Sequence, residues 1–239
     1  MRWLRRLIAN LYYWLGIRLL FLFFYLFSWL IAPWGPAGKV LYRQIARVIV
    51  AFFLRLGGVR IVAPGQAVLA AGRTILLVNR PCRNAPLYLV AALSSELPMV
   101  VADSLLKLWI VGRVLRTLGY IPYPRRDDDR PAAWLFAGAI YQRLQSEKPV
   151  VIYYEIFYGE SRHSREKLEK LLSLAAKAGA TVRPLTIRTV GEGNKPNRDI
   201  FLLGEVDLVL GKSWDPGEAG TVDRIRAFFA PLVEAVKKP

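Results

Sequence analysis

Apolar residues run without a charge from Leu19 to Ala32, as LLFLFFYLFSWLIA, and extending the stretch back to Leu7 adds only Arg18 as an ionised group. This pattern predicts a membrane helix. About 20 apolar residues span a hydrocarbon core, so the uninterrupted part is short, and Arg18 has to snorkel or face protein. Spanning the bilayer and lying steeply embedded in it both remain open. A cleaved signal peptide is disfavoured by the length of the run and by the lack of a clean small-x-small site after it. Pro33-Trp34-Gly35-Pro36 breaks the helix, and a second one is expected over Lys39 to Leu56. There Lys39, Arg43, Arg47 and Arg55 recur on i, i+4 spacing, while Ile45, Val48, Ile49, Phe52 and Phe53 take other faces, which makes a basic amphipathic helix.

Beyond Gly57-Gly58 the pattern changes to short β-rich runs alternating with helices, the signature of an α/β sheet. Strands are expected at Val59–Val62, Ile75–Val78, Met99–Val101, Gly119–Tyr123, Val150–Tyr154, Val182–Arg188 and Ile200–Leu210. Helices are expected at Leu87–Leu93, Ser104–Leu118, Pro131–Gln145, Arg165–Ala178, with Gly179 as C-cap, and Val222–Lys238. The fold class read from this is a mixed central sheet flanked by helices. Residues 1–56 form a membrane anchor with a basic helix, and residues 57–239 form one α/β domain, with no internal repeat and no low-complexity tract.

The stretch Ile75 to Leu87 places candidate chemistry. Four branched aliphatics suit a strand buried on both faces, and the Asn79-Arg80-Pro81-Cys82-Arg83-Asn84 segment reads as the turn at its carboxyl end. In open α/β sheets ligands bind there. Arg80 and Arg83, with no nearby acid, favour an anion, although a solvated basic loop has the same composition.

Composition then narrows the setting. The chain has 239 residues, 54% of them hydrophobic, with mean hydropathy +0.28 and a formal net charge of +16. Apolar and basic together point to a membrane surface with anionic phospholipid. No Asp or Glu precedes Glu96, so the front of the chain is uniformly cationic, and Arg2, Arg5 and Arg6 favour a cytoplasmic N-terminus and an inner-membrane location. A single Cys82 excludes an intramolecular disulfide, and one His with one Cys leaves no usual zinc cluster. No cofactor is expected. The Asp127-Asp128-Asp129 run, flanked by Arg126 and Arg130, reads as a solvated turn. The seven Trp fit interface anchors and core better than base-stacking platforms, and nucleic acid is not an expected partner.

From about Leu54 to Asp215 the order of motifs resembles the glycerolipid acyltransferase family that includes 1-acyl-sn-glycerol-3-phosphate acyltransferases. The matching segments are Asn79-Arg80 through Ala85, Gly119-Tyr120-Ile121-Pro122-Tyr123-Pro124-Arg125, Tyr153-Tyr154-Glu155-Ile156-Phe157-Tyr158 and Arg183-Pro184-Leu185-Thr186-Ile187. The helix Leu171–Gly179 and Leu203-Gly204-Glu205-Val206 also have counterparts. The family pattern runs Asn-His-x-x-x-x-Asp, Gly-x-Ile-x-x-x-Arg, Phe-Pro-Glu-Gly-Thr-Arg and Val-Pro-x-x-Ile. The resemblance implies an acyltransferase-like fold and phospholipid metabolism.

The departures bear on function. In the family the His takes the proton from the acceptor hydroxyl as it attacks an acyl thioester, and the Asp orients that His. Here Arg80 and Ala85 stand at those positions. A guanidinium with pKa above about 12 accepts no proton at neutral pH, and general-base catalysis is typically worth about 10²–10⁴-fold. The third box keeps Glu155 but has Ile156, Phe157 and Tyr158 where Gly, Thr and Arg would hold the acceptor phosphate. Shifting the box to Glu160-Ser161-Arg162 conflicts with the strand at Val150-Val151-Ile152.

Two readings follow. The first is a pseudoenzyme that keeps the fold and membrane seat and binds phospholipid, acyl chains or a partner, with Arg80, Arg83, Arg125 and Glu155 as phosphate- or lipid-binding residues. The second is an active enzyme moving an acyl chain from acyl-CoA or acyl carrier protein to a lysophospholipid such as lysophosphatidic acid. It would need another base or nucleophile, with Glu155, Cys82 and His163 as the residues to search. The absence of His, Asp and the Gly-Thr-Arg set together favours the first.

Overall fold

The structure is a computed structural model that describes residues 2–63, 72–82, 84–93, 97–124, 130–157, 162–190 and 204–237. It opens with two long helices, α1 (Arg2–Ile31) and α2 (Gly35–Leu56), joined by the single 3-10 turn Ala32–Trp34. The predicted break is there, but Pro36 lies inside the first turn of α2 rather than before it. Its missing N–H costs nothing where no intrahelical acceptor exists. The two helices run antiparallel. Tyr12 donates to Phe53 O at 3.2 Å, Tyr13 to Gly57 O at 2.7 Å and Tyr42 to Phe24 O at 3.0 Å, and Tyr12 stacks on Phe53.

Gly38, Tyr42, Ala46, Val50 and Leu54, four residues apart, form the buried stripe of α2. Arg43 and Arg47 are half-buried beside it, while Lys39 and Arg55 near the ends of the helix are exposed. Its most exposed stripe is instead Val40, Gln44, Val48, Phe52 and Leu56, which is apolar but for one amide. On α1, Tyr13, Leu20, Phe24 and Ile31 face the protein, while Leu11, Leu15, Leu19, Leu22, Leu26 and Leu30 are exposed.

The rest of the chain builds a sheet. Strands β1 (Val59–Val62), β2 (Thr74–Val78), β5 (Val150–Tyr153), β6 (Thr181–Val190) and β7 (Gly204–Leu210) lie in the order β1-β7-β6-β2-β5, all parallel to their neighbours except β6 against β7. A parallel pair of β3 (Val100–Ala102) and β4 (Ile121–Tyr123) continues the sheet beyond β5 through a bridge between Met99 and Val151. Residues 200–203, expected at the start of the last strand, lie outside the described residues.

Side-chain alternation divides the core. Leu76 and Val78 of β2 join a cluster with α1, α2 and α3 (Ala85–Ala92), and Ile75 and Leu77 join one with α6 (Arg130–Gln145), α7 (Arg162–Lys177) and α8 (Thr221–Lys237). All five β2 side chains are buried, as the aliphatic run predicts. Full burial of each Leu, Ile or Val contributes about 1.5–3 kcal/mol, and β5 is likewise buried along its whole length.

The helix expected over Ser104–Leu118 is two: α4 (Asp103–Leu106) and α5 (Trp109–Leu118). A Cβ on Gly112 would lie far inside contact distance of the Leu106 carbonyl, so only glycine admits this fold-back. That carbonyl accepts from Arg116 instead of from its own helix. Gly119 caps α5 in the left-handed conformation, with φ +79°, and its bare Cα faces the Arg43 guanidinium. Gly179, with φ +61°, caps α7 as predicted.

Candidate functional site

The register pairs Val78 of β2 with Tyr153 of β5, so the residues two positions beyond each strand, Arg80 and Glu155, face one another at the carboxyl end of the sheet. Glu155 lies in a 3-10 turn, Tyr154–Phe157, that ends β5. Its Oε1 accepts a 2.6 Å hydrogen bond from the Arg80 backbone N–H. The contact therefore belongs to the main chain at position 80 and not to its side chain, which is exposed.

Burial raises the Glu155 carboxyl above its ordinary value, opposed by the backbone N–H bonds from Glu155 itself and from Arg80 and by the Arg80 charge. Its second oxygen, Oε2, is buried and makes no hydrogen bond among the described residues. Such an oxygen costs about 1–3 kcal/mol unless a donor reaches it.

Asn79 fixes where β2 ends. It is buried, its Nδ2 donates to Ile187 O at 3.0 Å, and its Oδ1 accepts from Ile187 N–H at 2.6 Å. The amide thus extends the β2–β6 ladder beyond the last backbone pair, Val78 with Leu185. A primary amide does this because it carries both donor and acceptor. The role is positioning: Asn79 holds the chain as it leaves the sheet for Arg80.

The other candidates separate. Ala85 is fully buried in the first turn of α3. Cys82 is buried in the core with its S–H toward Tyr88 Oη at 3.9 Å, a packing position. Tyr153 is buried, donates to Met99 Sδ at 3.8 Å, and burial pushes its phenol well up, away from proton exchange at neutral pH. Phe157 sits in the core, and Tyr154 stacks on Phe229 at 4.4 Å, so most of the box after β5 is packing rather than ligand surface. Arg83, Arg125 and Asp127–Asp129 lie outside the described residues, as does the side chain of His163 in the first turn of α7. The sequence names Glu155 and Arg80 but gives no sign of the main-chain contact between them. It also leaves the Asn79 clamp unread, for which the signal was a carboxamide directly after an unbroken aliphatic strand.

Two apolar spaces flank the sheet. A cavity of about 70 Å³ lies among α1, α2, α3 and α5, lined only by side chains such as Phe24, Val50, Leu87, Val114 and Tyr120. A groove of about 260 Å³ lies between β4, α6 and α7, with Tyr123, Phe136, Ile140 and Phe157 inside it and Lys167 and Lys170 also on its wall.

No family model matches the chain, and no curated protein matches it. Among solved structures it is similar to the crystal structure of the 1-acyl-sn-glycerophosphate (LPA) acyltransferase PlsC from Thermotoga maritima. The TM-score is 0.64 at 17% identity, over 100% of this chain and 99% of that one. The fold is that of this acyltransferase over its whole length.

Proposed function

We propose that this protein is a membrane-seated, catalytically silent relative of the lysophosphatidic acid acyltransferases, which binds phospholipid or its acyl chains. The observation that carries this reading is Arg80 at the carboxyl end of β2. There a permanently charged guanidinium stands where the resemblance expects a proton acceptor, and the facing carboxylate spends one oxygen on the main chain. Arg80 offers a lipid phosphate charge-assisted hydrogen bonds, a part that the sequence also gives to Arg83 and Arg125, and Glu155 takes a hydroxyl of the same headgroup once its buried Oε2 is uncovered. The fold similarity to PlsC supports lipid as the ligand class.

The exposed apolar faces of α1 and α2 support the membrane seat. The stretch from Leu11 to Leu56 contains a helix long and apolar enough to cross a bilayer. Because α1 and α2 double back and α1 rests one face on protein, the pair lies in one interface with its apolar side down. Residues 57–239 then sit on the cytoplasmic side as the basic N-terminus directs.

One observation favours an active enzyme: Glu155 Oε2 is unpartnered and its carboxyl is raised toward neutrality, as a general base requires. Acyl transfer from labelled acyl-CoA and from acyl carrier protein to lysophosphatidic acid, measured on protein in liposomes, separates the readings. No turnover together with saturable lysophosphatidic acid binding is the expected result. Turnover that disappears in Glu155→Gln would make the protein an acyltransferase with Glu155 as its base.

A further inference from the structure

At the turn between α1 and α2 a second polar space opens, of about 470 Å³, walled by Ser28, Lys39, Arg113, Arg116 and Thr117 together with the backbone of the turn. It shares no residue with the Arg80–Glu155 turn. Its lining holds three cations and no carboxylate. None of the three takes part in an ion pair among the described residues, whereas nearby Lys107 is neutralised by Asp103 at 2.6 Å.

The cations come from two helices, Lys39 from α2 and Arg113 and Arg116 from α5, and both arginines are held in place, Arg116 by one terminal nitrogen on the Leu106 carbonyl. Arg113 donates from Nε to Ser28 Oγ at 2.7 Å, and its guanidinium carbon stacks over the Trp29 ring at 3.6 Å. Ser28 is buried and passes its own proton to Tyr25 O, so it orients Arg113 and is not itself available to a ligand. With Nε engaged, the terminal nitrogens of the planar fork are left for an anion. Lys39, on α2, is exposed. Like charges gathered on two packed helices repel, and an anion between them relieves the repulsion.

The rim identifies the carrier. Trp29, Leu30, Trp34, Leu108 and Trp109 surround this turn of chain and are half to three-quarters exposed. Tryptophan and leucine beside a cationic cleft match a molecule with a charged head and an apolar tail. We propose that this cleft binds a phosphate group, presented by an anionic membrane phospholipid, on Lys39, Arg113 and Arg116.

The test uses the full chain and vesicles of phosphatidylcholine doped with phosphatidic acid, or with oleate at equal surface charge. Lys39→Gln/Arg116→Gln should weaken binding to phosphatidic acid vesicles about tenfold or more, while Lys177→Gln/Lys212→Gln, which removes the same charge elsewhere, stays within about twofold. Lys39→Gln alone, at an exposed position outside the packing, should give an intermediate loss. Equal losses from both double variants, or no preference for phosphatidic acid over oleate in the parent, would overturn the site. A melting temperature raised by inorganic phosphate in the parent but not in Lys39→Gln/Arg116→Gln would overturn the lipid as source and assign the cleft to free phosphate. No such rise, with vesicle binding that depends on the pair, supports the lipid.

Discussion

The backbone N–H of Arg80 and the carboxylate of Glu155 are joined by a 2.6 Å hydrogen bond that ties the end of β2 to the end of β5. Because the donor is main chain, the bond survives any residue at position 80 that has an N–H. Arg80→Ala or Arg80→Gln should leave stability within about 0.5 kcal/mol. Arg80→Pro removes the donor and should cost about 2 kcal/mol or more, the range for a hydrogen bond to a charged group. Denaturant unfolding in detergent checks this, and equal losses for Ala and Pro would show that the side chain, not the amide, holds the turn.

Glu155 also sets a pH dependence. Its carboxyl is raised above the ordinary 4.5 by burial, so between that value and the raised one the folded state holds a proton that the unfolded state has released. Stability then falls as pH rises through this window. Glu155→Gln carries no such proton and should flatten that part of the profile, gaining on the parent as pH increases toward neutrality. Melting temperatures of the two proteins across this range give the comparison, and parallel curves would remove Glu155 as the source.

Asn79 makes a two-point contact that no other residue type reproduces at this site. Asn79→Leu leaves the Ile187 N–H and carbonyl buried and unpaired, and should destabilise by about 2–4 kcal/mol. Asn79→Asp keeps the acceptor but loses the donor, and should fall between. The distinguishing measurement is hydrogen exchange at Ile187, which should quicken far more in the Leu variant than exchange elsewhere in β6.

The strands and most helices were legible because aliphatic runs and turn residues alternate at the spacing an α/β sheet needs, with β2 the clearest case: four branched aliphatics, all buried. The split of α4 from α5 was not, since it depends on the Leu106 carbonyl lying against Gly112, a contact that no periodicity encodes. Likewise the i, i+4 recurrence of Arg43 and Arg47 correctly gives one side of α2, yet not that this side turns partly inward and leaves Val48 and Phe52 outermost. At the candidate site, the resemblance singles out Arg80 and Glu155, but the backbone bond that joins them is set by the pairing of β2 with β5. The juxtaposition of Lys39 with Arg113 and Arg116 was not legible, because it joins residues more than seventy positions apart.

The exposed face of the helical hairpin carries a prediction of its own. Leu26 on α1 and Phe52 on α2 are about three-fifths exposed. Burial of a Leu or Phe side chain contributes about 1.5–3 kcal/mol, so Leu26→Ser and Phe52→Ser should each reduce partition into neutral vesicles about tenfold while leaving the fold intact. Deleting residues 1–38 should leave protein partly membrane-bound through α2 at low salt. Complete solubility of that truncation would place the whole membrane seat on α1.

Installing the base that the resemblance expects tests the proposed loss of catalysis. Arg80→His alone supplies an imidazole with nothing to orient it, so it should give little turnover. Adding Ala85→Asp places a carboxylate in the first turn of α3, where the helix N-terminus favours negative charge, but at a position that is now fully buried. The backbone bond to Glu155 does not depend on the side chain at 80, so the turn that would present the His is retained. The double variant should therefore exceed the parent in acyl transfer to lysophosphatidic acid by about 10²–10⁴-fold, the usual worth of a general base. The buried Asp should also cost stability, which a lowered melting temperature would register. If the double variant folds, binds lysophosphatidic acid and still shows no turnover, the loss lies in the box after β5. There Ile156 and Phe157 stand where the resemblance expects Gly and Thr, and Phe157 is committed to the core.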